Sequence, residues 1–363
     1  MEISTIFANT EDYRVVGRCT HSLSDILGLS LCGIIADCDD FTEIEDYGKD
    51  NMIFLQQALN FSFAGGIPSS DTMERMFKHL DTKELQTCFS SFLGNLQASN
   101  QHLAIDGKEL RSTIPKGKKH ALVRMVNVWA TDLGISFAQY QVDKKSNEIT
   151  AIPALLDMIT CENSVITIDA IGCQKEIVKK IREKKADYLI ALKANQKNLY
   201  TAVQKQMLAE RDQLLSYTSI SKEHGRGEKR AIYVASISSI PVDVSEWIDL
   251  KTVVMIERTR IIKEKTTIHQ TFYLSNLEIT PQAFGQYARK HWGVENDLHW
   301  QLDITFREDQ AKIKNETAIV NLHQLRKWAL HLLKKDETKM SIKRKRKKAH
   351  RNNDYLKSII VPN

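Results

Sequence analysis

The chain has 363 residues, enough for two or three domains of ordinary size. Hydrophobic residues make up 42% and charged residues 26%, a globular composition that excludes a disordered or fibrous protein. The net charge of +6 is unevenly distributed, because residues 1–100 carry −9, residues 101–342 carry +8 and residues 343–351 carry +7. This pattern suggests an acidic N-terminal part, a basic middle and a cationic tail.

Other classes are excluded by local composition. No window of about 18 uncharged apolar residues occurs, so we expect no membrane span, and the acidic N-terminus is not that of a signal peptide. The six cysteines form no CxxC pair, which rules out a zinc finger and indicates reduced, mostly buried thiols in a cytoplasm. The basic run 343–351 is typical of a solvated tail, although such a run can also bind phosphate.

Residues 20–100 are predicted to be mostly helical, because their apolar residues recur at intervals of three and four. The glycine- and proline-containing segment 65–68 interrupts this pattern, and Ser70 or Asp71 can cap the next helix. Two helices joined by a turn could read DNA. The acidic charge instead favours a helical docking or dimerisation domain, since a surface that binds phosphate should not be negative.

After residue 100 the pattern changes to strands. Five are predicted, at HLAIDG, HALVRMVNVWAT, GISFAQYQV, SVITIDA and DYLIALKAN, with helices at residues 148–160 and at GCQKEIVKKIREKKA. The second and third strands are joined by a short connection that predicts a hairpin. Together these elements predict a mixed α/β sheet. Residues 200–280 begin as a helix and continue as three strands, which indicates an inserted β-rich segment. A long helix resumes at residue 282, and a last one spans residues 315–335.

Three carboxylates stand out within this plan. Asp106 and Asp169 each end a predicted strand, where sites in α/β sheets are built, and Glu295 lies on the long helix. A single aspartate at a strand end is more often a turn or helix cap. Three converging carboxylates, however, are suited to two Mg²⁺ or Mn²⁺ ions, and two such ions support displacement at phosphorus.

The same helix allows two other interpretations. His291, Glu295 and His299 recur every four residues and could form a zinc set, but an α-helical span of about 12 Å is too long for both histidines to bind one ion. In the second interpretation, Trp292 and Trp300 pack into a core and Glu295 pairs with a base.

Five motifs in order resemble the H-repeat-associated (ISAs-type) family of bacterial insertion-sequence DDE transposases. They are AIDGKELRST, TIDAIGCQKEIVKKI, DYLIALKANQ, HGRGEKR and RKHWGVENDLHWQLDITFREDQ. The segments HSLSDILGLSLCGIIADCDDFTEIEDYG and GIPSSDTMERMF are similar to the N-terminal associated domain of that family. The resemblance covers residues 15–330, nearly the whole chain.

The resemblance implies a ribonuclease H-like catalytic core with Asp106, Asp169 and Glu295 as the DDE triad, holding Mg²⁺ or Mn²⁺. It also implies the β-rich insertion between the second aspartate and the glutamate. Related transposases carry a Tyr, Arg, Glu, Lys signature around the glutamate. Here His291 replaces the arginine and Leu302 replaces the lysine.

From the residues and the resemblance together we predict five parts. A helical N-terminal transposase-associated domain spans residues 1–100, and the first part of the core spans 101–199. The β-rich insertion spans 200–280, the helix that completes the core lies within 281–335, and the basic tail covers 336–363.

Several residues are predicted to contact DNA, because basic side chains attract phosphate and glycines allow close approach of the backbone. They are Lys108, Arg111, Lys193, Lys197, His224, Arg226, Arg230, Arg289, His291 and Trp292. The loop HGRGEKR is the most compact of these basic segments. Trp292 could stack on an unpaired base, although core packing is the more common fate of a helical tryptophan.

The predicted function is metal-dependent DNA cleavage at the ends of an insertion sequence, followed by strand transfer of the 3′-hydroxyl into target DNA. Double-stranded DNA would be the partner, bound by a homodimer on paired ends and with no role for a membrane. Two alternatives remain open: an inactive DNA-binding relic of a transposase, and a metal-dependent nuclease without strand transfer.

Overall fold

The computed structural model describes residues 6–7, 10–93, 98–143, 146–223, 226–262 and 265–361. Its helices are α1 (Leu23–Ile35), α2 (Phe41–Asp50), α3 (Met52–Leu59), α4 (Ser70–His79), α5 (Thr82–Leu93), α6 (Glu148–Asp157), α7 (Lys175–Glu183), α8 (Lys197–Ala209), α9 (Pro281–His291), α10 (Glu316–Lys335), α11 (Ile342–Arg351) and α12 (Asn353–Ile360). Its strands are β1 (His102–Glu109), β2 (Arg124–Ala130), β3 (Ile135–Gln141), β4 (Val165–Ile168), β5 (Asp187–Leu192), β6 (Leu215–Glu223), β7 (Arg226–Ser236), β8 (Thr252–Ile262) and β9 (Lys265–Ser275). Within the described residues, no helix is long and apolar enough to cross a membrane.

All these strands belong to one sheet, in the order β3-β2-β1-β4-β5-β9-β8-β7-β6. β1, β4 and β5 are parallel, whereas β9 runs antiparallel to β5 and begins an antiparallel extension through β8, β7 and β6. The predicted mixed α/β architecture, with a ribonuclease H-like sheet and a helical N-terminal part, is therefore confirmed. The extension has four strands where the sequence predicted three, because the largely exposed strand β6 lacks an apolar alternation.

The chain divides into two compact units. The first contains Met1–Leu96, Lys108–Met125 and Glu295–Asn363, and its centre is α10, in which residues 318–333 are buried. The ring of Trp328 lies about 5 Å from the rings of Phe7, Phe89 and Phe92. Burial of these large aromatic surfaces supplies much of the apolar stabilisation of this unit.

The basic run of the C-terminal region forms α11 in the first unit. Arg346 is fully buried, donates hydrogen bonds to the carbonyl oxygens of Ile34 and Cys38, and lies over the ring of Phe306. Its guanidinium also approaches Asp37 to within 3.1 Å. The expectation of a solvated tail is wrong for this residue, because backbone carbonyls and an acidic loop of the N-terminal region compensate its charge.

The second unit contains Gln97–Gly107 and Val126–Val294, and most of the sheet lies in it. α9 begins after Thr280, whose hydroxyl accepts from the backbone N–H of Ala283, and it packs on the sheet through Phe284 and Ala288. A Cβ atom at Gly285 would lie 3.0 Å from Ile232, so glycine allows this close approach. The long helix predicted from residue 282 ends at His291, and two π-helical segments follow, Val294–His299 and Gln301–Thr305.

Candidate active site

Asp106 and Asp169 lie on neighbouring parallel strands of the second unit. The register pairs Ile105 with Ile168; Asp106 is the next residue of β1, and Asp169 is the first residue after β4 and keeps an extended backbone. Side chains alternate along a strand, so both aspartates share the face of Ala104 and Thr167, and both are half-buried. The prediction that Asp106 ends its strand is wrong, since β1 continues to Glu109, but the pairing between β1 and β4 does end beside it.

The turn after β4 fixes the backbone at Asp169. Its carboxylate accepts the backbone N–H of Ile171 at 3.1 Å and caps the short 3₁₀ turn Ala170–Gly172. The loop after β5 holds this turn, because the side-chain amides of Asn195 and Gln196 donate to the carbonyl oxygens of Ala170 and Cys173 at 2.7 and 2.8 Å. Both residues belong to the motif DYLIALKANQ, and the sequence did not predict their contacts with the turn.

A chain of hydrogen bonds lies on the same face as the two aspartates. The hydroxyl of Thr167 lies 3.0 Å from Nε2 of His102 and 3.0 Å from Nδ1 of His291, and Nδ1 of His102 contacts the hydroxyl of Thr131 at 2.9 Å. Burial lowers the pKa of His102 to about 3, so the ring is neutral at pH 7. These hydrogen bonds connect the C-terminal end of α9 to Thr167 in β4, two residues before Asp169.

Glu295 lies in the first unit, in the π-helical segment that follows α9. Such segments are frequent at functional sites. Its carboxylate lies 3.7 Å from Nδ1 of His299. The interaction with His299 lowers the pKa of Glu295, burial opposes this effect, and the charges of Lys108 and Arg111 lower it further. Glu295 is therefore ionised at neutral pH and can act as a metal ligand.

The zinc interpretation is not supported by these contacts. His291 is hydrogen-bonded to Thr167, whereas His299 pairs with Glu295. The core-packing interpretation fails for both tryptophans, because Trp292 is 59% exposed and Trp300 is 52% exposed. Because Trp292 is exposed, its stacking on an unpaired DNA base stays a prediction.

Lys108 joins a buried charged cluster in the first unit. Its ammonium lies 2.5 Å from Asp303 and 3.9 Å from Glu308, and its side chain is only 4% exposed. The fully buried carboxylate of Glu308 contacts Nδ1 of His323 at 2.9 Å and the guanidinium of Arg326 at 3.3 Å. Lys108 is therefore engaged with carboxylates, and its predicted contact with DNA stays a prediction.

The charge states in this cluster follow from its contacts. Burial alone would raise the pKa of Glu308, but the hydrogen bond from His323 and the charges of Arg326 and Lys108 outweigh it and the pKa is lowered. Burial lowers the pKa of His323 to about 4. We therefore assign Glu308 as ionised, paired with the side chains of Arg326 and Lys108 and accepting Nδ1–H from a neutral His323 ring. Burial also lowers the pKa of Lys327 to about 7.

The other residues predicted to contact DNA occupy several positions. Arg111, Lys193, Lys197 and Arg289 are exposed, and Arg230 is half-buried and paired with Glu228. His224 lies outside the described residues, and for Arg226 the structure describes only the backbone, within β7. Contact with DNA remains a prediction for all of them.

The available donors suit a hard divalent cation. Asp106 and Asp169 offer carboxylate oxygens on one face of the sheet, and Glu295 offers an ionised and partly exposed carboxylate. Oxygen donors of this kind are those that Mg²⁺ and Mn²⁺ prefer. The chemistry of these side chains therefore fits such an ion.

Two family models match the chain. Residues 4–93 match the domain described as "DDE_Tnp_1-associated", and residues 97–332 match the "Transposase DDE domain". The second match covers more than half of the chain.

Curated relatives match over almost the full length. "Putative transposase YncI" of Escherichia coli O157:H7 is 34% identical over 96% of this chain and 92% of its own length. "H repeat-associated putative transposase YhhI" of Escherichia coli K12 is also 34% identical, over 96% and 95%. Among solved structures, a piggyBac transposase synaptic complex with hairpin DNA covers 99% of this chain and 76% of that chain, with 11% identity and a TM-score of 0.45. A TM-score this low does not by itself indicate a common fold.

Proposed function

This chain belongs to the DDE transposase family, and from that premise we propose that it cuts DNA at the ends of its own insertion sequence and joins the freed 3′-hydroxyl to target DNA. The observation that carries the proposal is the pair Asp106 and Asp169, which follow paired residues on two parallel strands and share one face. Two carboxylates in this position are suited to holding a divalent cation at a phosphodiester.

We assign Asp106, Asp169 and Glu295 as the ligands of two Mg²⁺ ions, with Mn²⁺ as a substitute. When bound, such ions stabilise the attacking and leaving oxygens at phosphorus and lower the pKa of the attacking water. The chain supplies ionised carboxylates. Asn195 and Gln196 hold the turn that begins at Asp169.

Two displacements at phosphorus account for the product. In the first, water attacks the phosphorus at the element end, the bond to the 3′ oxygen breaks, and a 3′-hydroxyl and a 5′-phosphate remain. In the second, this hydroxyl attacks a target phosphodiester, loses its proton to solvent and displaces a target 3′ oxygen. Both ends of an element must be joined, so a homodimer on paired ends is the expected assembly.

The test is excision and strand transfer of a marker flanked by the genomic borders of the gene, with Mg²⁺. Wild type is compared with Asp169→Asn and with Asp212→Asn, a matched change at an exposed carboxylate. Asparagine can still accept the N–H of Ile171 through its side-chain oxygen, so the turn should persist. We expect joined products from wild type and Asp212→Asn and none from Asp169→Asn, with border DNA still bound.

Three outcomes would contradict the proposal. Full activity of Asp169→Asn would remove this residue from the triad. Binding of intact borders without any cleavage by wild type would indicate a DNA-binding relic. Cleavage without joined products would indicate a nuclease.

A further inference from the structure

The face of the sheet that α9 covers changes from apolar to charged along β7 and β8. Under the helix it is apolar, where Ile232 and Val254 pack with Phe284 in one cluster. Side chains alternate, so Arg230, two residues before Ile232 in β7, lies on the same face. The register places Arg258 of β8 directly opposite Arg230.

The next pair on this face is Glu228 opposite Arg260. Glu228 is the counter-ion of both neighbouring arginines, since it contacts Arg230 and lies 2.8 Å from Nε of Arg260. A fourth arginine, Arg289, lies in the last turn of α9, and its charge lowers the pKa of Arg230. We call Arg230, Arg258, Arg260 and Arg289 the arginine patch.

The arginine patch holds an excess of positive charge. Among the described side chains on this face of β7 and β8, Glu228 is the only carboxylate beside three arginines. Like charges directly opposite each other on neighbouring strands destabilise a sheet. Burial lowers the pKa of Arg230, Glu228 opposes this effect, and the charges of Arg289, Arg258 and Arg260 lower it further. An anion at this place would relieve the repulsion.

The flanking strands add neutral hydrogen-bonding groups to the same face. The register places Ser219 of β6 beside Arg230 and His269 of β9 beside Arg258. In the next row, Ser221 lies beside Glu228 and Thr267 beside Arg260. Hydroxyl and guanidinium groups commonly contact phosphate oxygens of DNA, and an imidazole N–H can also donate to them.

We propose that the arginine patch, with these flanking hydroxyl and imidazole groups, binds the phosphodiester backbone of the DNA that the enzyme processes. The donors are spread over four strands, which span about 14 Å at the usual spacing between neighbouring strands. This width fits several successive phosphates of a DNA strand better than one free phosphate ion. The choice of DNA as the ligand rests on the function proposed above.

The experiment measures binding of a short duplex DNA without divalent metal, as a function of salt concentration. The variants are Arg258→Gln/Arg260→Gln and, as a control, Lys205→Gln, an exposed base on α8. Each phosphate contact contributes about 0.9 to the slope of log K against log salt, so the double variant should lower the slope by roughly 1.8 and the control should not. Because the assay needs no cleavage, it can succeed even if the proposed reaction fails.

A second readout separates binding from structure. Replacing Arg258, which lies opposite Arg230, by glutamine should leave the Tm of the DNA-free protein unchanged or raise it, because repulsion is relieved. A lower Tm of Arg258→Gln with unchanged DNA affinity would overturn the proposal in favour of a structural role. An unchanged salt slope in the double variant would also overturn it. Displacement of DNA by inorganic phosphate beyond the effect of equal ionic strength would point to a free-phosphate site instead.

Discussion

Replacing Glu308 by glutamine should destabilise the first unit strongly. The carboxylate is fully buried and contacts His323, Arg326 and Lys108, and the side chains of the last two are 4% exposed. Glutamine keeps the shape but removes the charge, so two buried cations lose a counter-ion. Breaking a buried ion pair in this way costs about 3–5 kcal/mol.

The assay is amide hydrogen exchange of α10, which carries His323 and Arg326 and is buried over residues 318–333. At 1.4 kcal/mol for each factor of ten, its most protected amides should exchange roughly a hundred- to a few thousand-fold faster in Glu308→Gln than in wild type. The matched control is Glu337→Gln, an exposed carboxylate in the same unit, which should change exchange little.

Exchange within threefold of wild type in Glu308→Gln would refute this reasoning. It would mean that Glu308 is protonated in the folded protein, or that Asp303 and the backbone compensate the cations without it.

Further predictions concern pH, the turn after β4 and the hydrogen-bond chain. Folding lowers the pKa of Glu308 from 4.5, so the ionised carboxylate contributes its full stabilisation of the folded state above that pH. This contribution is lost as the pH falls towards the folded pKa. The difference in α10 exchange between wild type and Glu308→Gln should therefore shrink below about pH 4.5. Gly172→Ala would place a Cβ atom 2.3 Å from the side chain of Ile168 and should lower the free energy of unfolding by about 1–3 kcal/mol. The control is Gly17→Ala, where a Cβ atom would have nothing within 4 Å; its free energy of unfolding should differ from that of wild type by less than about 0.5 kcal/mol. Thr167→Val removes the hydroxyl between His102 and His291 and should lower the Tm by an amount equivalent to about 1–3 kcal/mol. It should also lower the kcat for cleavage without changing DNA affinity. An unchanged kcat would show that these hydrogen bonds do not position the site.

The local sequence pattern was sufficient for the elements around the two aspartates. Apolar runs predicted β1, β4 and β5, and the acids at residues 106 and 169 were identified because they follow those runs. Parallel neighbouring strands then place the two acids side by side, a consequence of strand period and pairing. The end of the long helix at His291 was missed, because a change from α-helical to π-helical bonding leaves no clear mark on the apolar period.

Only the tertiary structure decided how distant side chains meet. Thr167 joins His102 and His291, residues 65 and 124 positions away, and Lys108 pairs with Asp303, 195 positions away. Arg230 faces Arg258 only because β7 and β8 pair in one particular register. The basic run at residues 343–351 predicted charge but not the burial of Arg346. Periodicity and composition report which residues a single element buries, whereas strand register and the partners of buried charges depend on contacts between elements that are far apart in the chain.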